Sequence, residues 1–86
     1  MRIDKFLKVS RVIKKREIAK ELASLDRLLL NNRPCKAHNE VNVGDIVSII
    51  FGHRTITIRI KNILSSASKE EALSMYELID NNSIKS

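Results

Sequence analysis

The side chains that could do chemistry are concentrated at the start of the chain. Eight Lys or Arg and only two acids, Asp4 and Glu17, fall within the first twenty residues. Arginine presents a planar fork of donors that can hold two oxygens of one phosphate, and lysine adds a flexible point charge. A dense set of such side chains is typical of a surface that meets a polyanion, and phosphate backbones are the usual polyanion inside a cell. The N-terminal segment therefore predicts nucleic-acid binding.

The charge is divided unevenly along the chain. Residues 1–36 contain eleven basic and four acidic side chains, a net charge of +7, whereas residues 37–86 contain five basic and six acidic side chains, a net charge of −1. A charge that served only solubility would be spread over both halves. An ordinary solvated helix surface is the alternative explanation, but such a surface would carry more balancing acids than residues 1–36 contain.

Groups that could support catalysis are few. His38 and His53 are the only histidines, and neither stands at a metal-ligand spacing from Cys35, the only cysteine. The chain has only two glycines, so it has no glycine-rich phosphate loop. The sequence therefore predicts a binding protein that is not an enzyme and that needs neither a metal nor another cofactor.

The same composition limits where the protein acts and how it is organised. A single cysteine excludes an intramolecular disulfide and fits a reducing compartment. The N-terminus lacks a signal-peptide pattern, and no stretch approaches the ~20 apolar residues of a membrane span. We therefore expect a cytoplasmic monomer with no membrane partner. The 86 residues should form one domain over residues 1–81, followed by a short tail from Asn82 to Ser86.

Two short helices are expected to carry the basic residues. Apolar side chains near the N-terminus recur at i, i+3 and i+4, which places them on one helical stripe. The residues of this first stripe, in a helix that Ser10 would close, are Ile3, Phe6 and Leu7. The stripe of a second helix, expected over residues 15–25, consists of Ile18, Leu22 and Leu25. Ala19 and Ala23 beside it would allow close packing.

The middle of the chain predicts strands separated by turns. Leu28–Leu30 precedes Asn31-Asn32, a pair that can adopt positive φ in a tight hairpin turn. Residues 46–51 are mostly apolar, and residues 54–60 alternate between Ile and polar side chains, with Gly52-His53 between them. This pattern predicts a half-buried hairpin.

A third helix is expected near the C-terminus. Ser68 and Glu71 have the spacing of a helix capping box. Apolar residues then follow at i, i+3, i+4 and i+7, which predicts an amphipathic helix that covers the sheet. These residues are Ala72, Met75, Tyr76 and Ile79. The predicted fold is α+β, with two N-terminal helices packed on a small antiparallel sheet and a C-terminal helix.

Several of these features together resemble the S4 RNA-binding domain family over about residues 1–51. The matching residues are Arg2, Asp4, Lys5 and Leu7 in the first helix, Arg16 and Ala19 in the second, Asn31 after the first strand, and Val43-Gly44-Asp45. The resemblance implies the alpha-L RNA-binding motif, in which two helices pack on a small sheet. That architecture agrees with the one predicted from the residue pattern.

A closer resemblance, over nearly the whole chain, is to the RqcP family of small stand-alone bacterial S4-domain proteins. It rests on residues 2–21 (RIDKFLKVSRVIKKREIAKE), 51–60 (FGHRTITIRI) and 68–79 (SKEEALSMYELI). The resemblance implies binding to the large ribosomal subunit that carries a stalled peptidyl-tRNA, with contacts to large-subunit rRNA and to the tRNA. It also implies work in one complex with the tailing factor RqcH, which adds alanines to the stalled chain. The family usually has glycines where this chain has Asp26 and Asn32, and we expect both to adopt the left-handed conformation.

The predicted RNA-binding residues follow from the charge and the resemblance together. Arg2 and Arg16 are the strongest candidates, because they stand at helix starts where free backbone N–H groups would also favour phosphate. The residues expected to extend the contact are Arg11, Lys14, Lys15 and Lys20, followed by Lys5 and Lys8. Asp4 would repel phosphate, so we expect it to orient Arg2 or Arg16 or to cap backbone. Tyr76 is expected in the core, with stacking on a base as the alternative.

The sequence also leaves other functions open. A heat-shock-type S4 protein that recycles large subunits with stranded nascent chains is the nearest, although such proteins carry a long basic C-terminal extension. A fragment of a pseudouridine synthase or of a tyrosyl-tRNA synthetase would contain the same domain, but the motif begins directly after Met1. A general structured-RNA-binding module and a helix-turn-helix DNA-binding protein are the remaining alternatives, and the first helix is short for the latter.

Overall fold

Two helices, two antiparallel hairpins, a short helix and a final strand follow one another in the computed structural model, which describes residues 1–83. The elements are α1 (Ile3–Val9), α2 (Arg16–Ser24), β1 (Leu28–Leu30), β2 (Arg33–Pro34), β3 (Ile46–Phe51), β4 (Arg54–Ile60), α3 (Lys69–Leu73) and β5 (Tyr76–Ser83). The strands form one sheet in the order β2-β1-β3-β4-β5, and each neighbouring pair is antiparallel. The predicted α+β class is confirmed.

The core lies between α1, α2 and one apolar face of the sheet. Leu28, Ile49 and Ile58 from three adjacent strands are buried on this face. The first helical stripe covers them as its spacing predicted, and its three residues, Ile3, Phe6 and Leu7, have no exposed surface. Burial of one such side chain contributes about 1.5–3 kcal/mol to the free energy of unfolding. The same packing fixes the position of α1, and with it the basic residues at both of its ends.

Helix α2 packs through smaller residues than its pattern predicted. Ala19, Leu22 and Ala23 are buried, which lets the helix approach closely. The prediction that Leu25 belongs to the buried stripe is wrong, because its side chain is 58% exposed. Leu25 is the C-cap residue, and its backbone (φ −102°, ψ 8°) has left the helix, so the i+3 spacing no longer directs it to the core.

The two positions where the family usually has glycine hold the expected left-handed backbone. Asp26 has φ 57° and Asn32 has φ 68°. Asn31 has φ 52°, so both residues of the loop between Leu30 and Arg33 are left-handed, as a type I′ hairpin requires. The tight β1–β2 hairpin forms although no glycine is present in it.

Asn31 and Asp45, two residues of the S4 motif, connect this hairpin to the start of β3. The Asn31 amide donates to one carboxylate oxygen of Asp45 at 3.2 Å, and its carbonyl accepts from the Ile46 N–H at 2.9 Å. The other Asp45 oxygen accepts from the Asn42 N–H at 2.8 Å and closes the turn that contains Gly44, whose φ is 95°. These two residues therefore shape the loop through their hydrogen bonds.

The C-terminal segment differs from its prediction. The Ser68–Glu71 capping box is present, but the helix ends at Leu73, and the chain from Tyr76 onward pairs with β4 as β5. Ala72 and Met75 are buried as predicted, whereas Ile79 is 45% exposed and lies in the strand. The strand is favoured because it satisfies the backbone groups along the edge of β4, and because residues 80–82 (Asp-Asn-Asn) are poor helix formers.

The first two residues of the predicted C-terminal tail belong to the sheet. Asn82 and Ser83 belong to β5 and pair with β4. The rest of the tail, residues 84–86, lies outside the described residues. Among the helices of residues 1–83, none has the length and apolar character needed to cross a membrane.

Candidate nucleic-acid interface

The centre of the basic surface is a buried carboxylate. Asp4 lies in the first turn of α1 and has no exposed surface. One of its oxygens accepts from an Arg2 guanidinium nitrogen at 3.1 Å, and the other accepts from an Arg16 guanidinium nitrogen at 3.1 Å. The backbone N–H of Lys5 adds a third bond at 2.7 Å. The expected positioning of an arginine by Asp4 is thus observed for both arginines at once.

This arrangement brings together two side chains that are 14 positions apart in sequence. Each guanidinium uses a single terminal nitrogen on Asp4, and the side chains of Arg2 and Arg16 stay 46% and 42% exposed. Arginine has five N–H donors, so most donors of each fork remain directed away from the carboxylate. Two oriented guanidinium groups can therefore hold phosphate oxygens without first losing the conformational freedom of a mobile side chain.

Backbone groups at the start of α1 do not take part in this site. The Ile3 N–H donates to the carbonyl of Asn39 at 2.7 Å, and the Asp4 N–H donates to the carbonyl of Ala37 at 3.2 Å. The Lys5 N–H is bonded to the Asp4 carboxylate. The prediction that free N–H groups of α1 favour phosphate beside Arg2 is therefore wrong, because the loop at residues 37–39 and the Asp4 carboxylate already bind them.

The other predicted RNA-binding residues lie on α1, on α2 and in the segment between these helices. Lys14 and Lys15 are exposed and lead directly into Arg16, and Lys20 lies one helical turn beyond it. Lys5 is partly buried beside Asp4, while Lys8 is exposed at the far end of α1. Arg11 is exposed just after α1. RNA binding by these residues stays a prediction, and the structure places Arg2 and Arg16 in direct contact with a shared partner.

Sequence reasoning missed the surroundings of Arg11. Its φ is 64°, in the left-handed region that arginine rarely adopts. Two shallow depressions of about 240 and 280 Å³ meet at this residue. The first includes Ser65 and Ser66, and the second includes Tyr76. No local pattern signals this, because residues more than fifty positions away complete both depressions.

Cys35, the single cysteine of the chain, is not among the predicted RNA-binding residues. Cys35 is partly buried, and this burial raises the pKa of its thiol above the ordinary value of 9.0. The thiolate is therefore scarce at neutral pH. Among residues 1–83, no group of three His, Cys, Asp or Glu side chains is arranged to hold a metal ion.

Comparison with protein families identifies the N-terminal part of the chain. The family model described as "S4 domain" matches residues 1–47, which include α1, α2 and the first hairpin. This region also contains Asp4 and both arginines bonded to it. The match overturns the helix-turn-helix alternative, because the two basic helices belong to a different family of domains.

Two solved structures share the fold. Heat Shock Protein 15 of Vibrio cholerae, described as trimeric, superposes with a TM-score of 0.82 at 26% identity, covering 92% of this chain and 81% of that one. The solution structure of the hypothetical protein HP1423 superposes with a TM-score of 0.79 at 27% identity, covering 93% and 98%.

Curated relatives match over most of the chain. The "RQC P-site tRNA stabilizing factor" of Bacillus subtilis (strain 168) is 42% identical over 79 residues, 92% of each chain. The factor of the same name from Halalkalibacterium halodurans is 45% identical over 78 residues, 91% of this chain and 89% of that one. The one from Streptococcus pneumoniae is 42% identical over 79 residues, 92% and 90%. With this identity over nearly full length, the chain belongs to the S4-domain family of RQC P-site tRNA stabilizing factors, the RqcP family.

Proposed function

We propose that this protein binds the large ribosomal subunit that carries a stalled peptidyl-tRNA and stabilises the tRNA in the P site. The observation that carries the proposal is the pair Arg2 and Arg16, both held by the buried carboxylate of Asp4. The relatives' name supports the tRNA as a ligand. In this role the protein acts in the cytoplasm as a binding factor and catalyses no reaction.

The chemistry of the surface suits structured RNA. The major groove of an A-form duplex is deep and narrow, so a small domain contacts mainly phosphates and 2′-hydroxyls. Two guanidinium groups fixed relative to each other can recognise the spacing of phosphates along such a duplex. Lys14, Lys15 and Lys20 add charge that is less strictly positioned. These arginines and lysines together would contact both large-subunit rRNA and tRNA.

Stabilisation of the tRNA is a matter of relative affinity. A protein that binds the tRNA-occupied subunit more tightly than the vacant one shifts the equilibrium toward occupancy by the ratio of the two affinities. A tenfold ratio corresponds to about 1.4 kcal/mol. This shift would hold the peptidyl-tRNA in place while RqcH adds successive alanines, and it requires no contact between the monomeric protein and RqcH.

Sucrose-gradient sedimentation of cell lysate tests the proposal. A tagged wild-type protein should travel with large subunits that carry peptidyl-tRNA, and Arg16→Ala should remain near the top of the gradient. Arg59→Ala is the matched control, because Arg59 is 52% exposed and paired with Glu77 on β5, outside the basic N-terminal segment. If wild type and Arg59→Ala stay at the top together with Arg16→Ala at low salt, the ribosomal assignment is wrong. If tailing by RqcH proceeds normally without the protein, its proposed support of tailing is wrong.

A further inference from the structure

Arg11 holds an unusual position in the fold. It follows α1 with φ 64°, and its side chain lines both of the depressions described above. Left-handed backbone in a residue other than Gly, Asn or Asp is uncommon, and such outliers often occur at binding sites. Arg11 is the residue that the linings of the two depressions share.

The two depressions differ in chemistry. The first has the more polar lining: Lys8 and Arg11 supply positive charge, and Ser65 and Ser66 supply hydroxyl groups, which together suit a phosphate, while Val9 and Ala67 complete the wall. The second is apolar with one aromatic side. Its residues besides Arg11 are Val12, Ile56, Ile58, Tyr76 and Leu78. Leu78 pairs with the buried Ile58 across β4 and β5 yet is 53% exposed, so the apolar face of the sheet continues beyond the area that the helices cover.

We propose that the two depressions form a subsite for one unpaired nucleotide of the bound RNA. The base would lie in the apolar depression against Tyr76, and the adjoining phosphate would lie in the polar depression between Lys8 and Arg11. This inference rests on the proposed function, because it assigns a second element of the RNA to the same protein. It adds recognition of a single-stranded feature to duplex contacts made through Arg2 and Arg16.

The positive charge of the subsite and its closeness to the Arg2–Arg16 pair favour a nucleotide as the occupant. Within residues 1–83, neither Lys8 nor Arg11 has an acidic partner, and both belong to the half of the chain with net charge +7. Lys8 lies one helical turn beyond Asp4, about 6 Å along the axis of α1, so the subsite adjoins the Arg2–Arg16 pair. A paired base stays inside its stack, whereas an unpaired base can lie on an aromatic side chain.

A fluorescence experiment with full-length protein tests the subsite. The probe is an RNA hairpin with one bulged 2-aminopurine, compared with the same hairpin fully paired. Stacking on Tyr76 should quench the bulged probe, and wild type should bind the bulged hairpin about tenfold more tightly than the paired one. Tyr76→Phe should keep both effects, whereas Tyr76→Leu should lose them and still bind the paired hairpin as wild type does.

Arg11→Gly provides an independent variant that should fold. Glycine adopts a φ of 64° without strain, so this change should not lower the melting temperature, yet it should abolish the preference for the bulged hairpin. Equal affinity of wild type for both hairpins, or preserved preference in Tyr76→Leu and Arg11→Gly, would overturn the subsite. Tyr76→Leu changing self-association without RNA would also overturn it and assign the groove to a second copy. Failure of the proposed function is measured separately, because wild type would then fail to sediment with large subunits whichever hairpin it binds.

Discussion

Replacing Asp4 with Asn removes one negative charge from a side chain that has no exposed surface, while keeping its shape. Three hydrogen bonds to the carboxylate are affected: those from Arg2, from Arg16 and from the Lys5 N–H. The Lys5 N–H and Arg16 bonds share one carboxylate oxygen, so an asparagine carbonyl can keep at most these two, and its NH₂ group would then face the Arg2 guanidinium. The variant should therefore be less stable, and its two arginines should no longer be held together.

The size of the effect follows from burial. A hydrogen bond to a charged group contributes about 1.5–3 kcal/mol. The arginines here are close to half exposed, so they are rehydrated when released, and the two ion pairs together count for less than a fully buried pair. We expect a loss of about 2 kcal/mol in the free energy of unfolding, which lowers the melting temperature of a domain of this size by about 8–16 °C.

Thermal unfolding followed by circular dichroism measures the loss of stability in Asp4→Asn. RNA affinity at fixed salt measures whether Asp4 positions the two arginines for binding. The control is Glu77→Gln, which breaks the exposed Arg59–Glu77 pair (2.9 Å) and should cost less than about 1 kcal/mol. Asp4→Asn raises the net charge by one, so diffuse attraction alone predicts tighter RNA binding. Positioning by Asp4 predicts weaker binding instead. An unchanged melting temperature together with equal or tighter RNA binding would refute this reasoning.

Four further predictions concern Arg16, Asn32 and Cys35. Arg16→Ala should reduce the slope of log affinity against log salt by about 0.7–0.9 if Arg16 contacts one phosphate, whereas an unchanged slope in salt titrations would remove Arg16 from the contact. Asn32→Gly should raise the free energy of unfolding by a few tenths of a kcal/mol or leave it unchanged, because the position has φ 68°, and urea unfolding would contradict the left-handed turn if stability fell by about 1 kcal/mol. Burial raises the pKa of the Cys35 thiol, so alkylation at pH 8 should be slower in the folded protein than in urea. The unfolded chain then loses this proton first, so the contribution of Cys35 to stability should fall as pH rises above 9.0.

Local patterns were sufficient for the parts of the fold that local contacts determine. The stripe of Ile3, Phe6 and Leu7 predicted α1, and alternation over residues 54–60 predicted β4. The left-handed backbone at Asn32 followed from residue type, because asparagine tolerates positive φ better than most residues. In each case the residues that decide the conformation lie within a few positions of one another.

Predictions failed where distant parts of the chain decide the outcome. The spacing of Met75, Tyr76 and Ile79 fits a helix, but the open edge of β4 binds this segment as a strand. The N–H groups at the start of α1 looked free because nothing in the sequence shows that the loop at residues 37–39 binds them. The depressions at Arg11 depend on residues between positions 56 and 78, which no pattern within residues 1–36 could reveal.

The sequence predicted part of the candidate site, namely that Asp4 would orient an arginine. A buried carboxylate requires compensation by positive charge, and Asp4 stands among basic residues that can supply it. What the sequence left open was that one carboxylate binds both Arg2 and Arg16. This depends on the packing of α2 against α1, which sets the distance between the two guanidinium groups.

The most direct test of the proposed role is the affinity of the purified protein for large ribosomal subunits with and without P-site tRNA. We expect wild type to bind the occupied subunits at least about tenfold more tightly, a difference of about 1.4 kcal/mol. Arg16→Lys keeps the charge but lacks the planar fork, so it should lose most of this preference, whereas Arg59→Lys should retain it. Equal affinity of wild type for occupied and vacant subunits would contradict stabilisation of the tRNA by this protein.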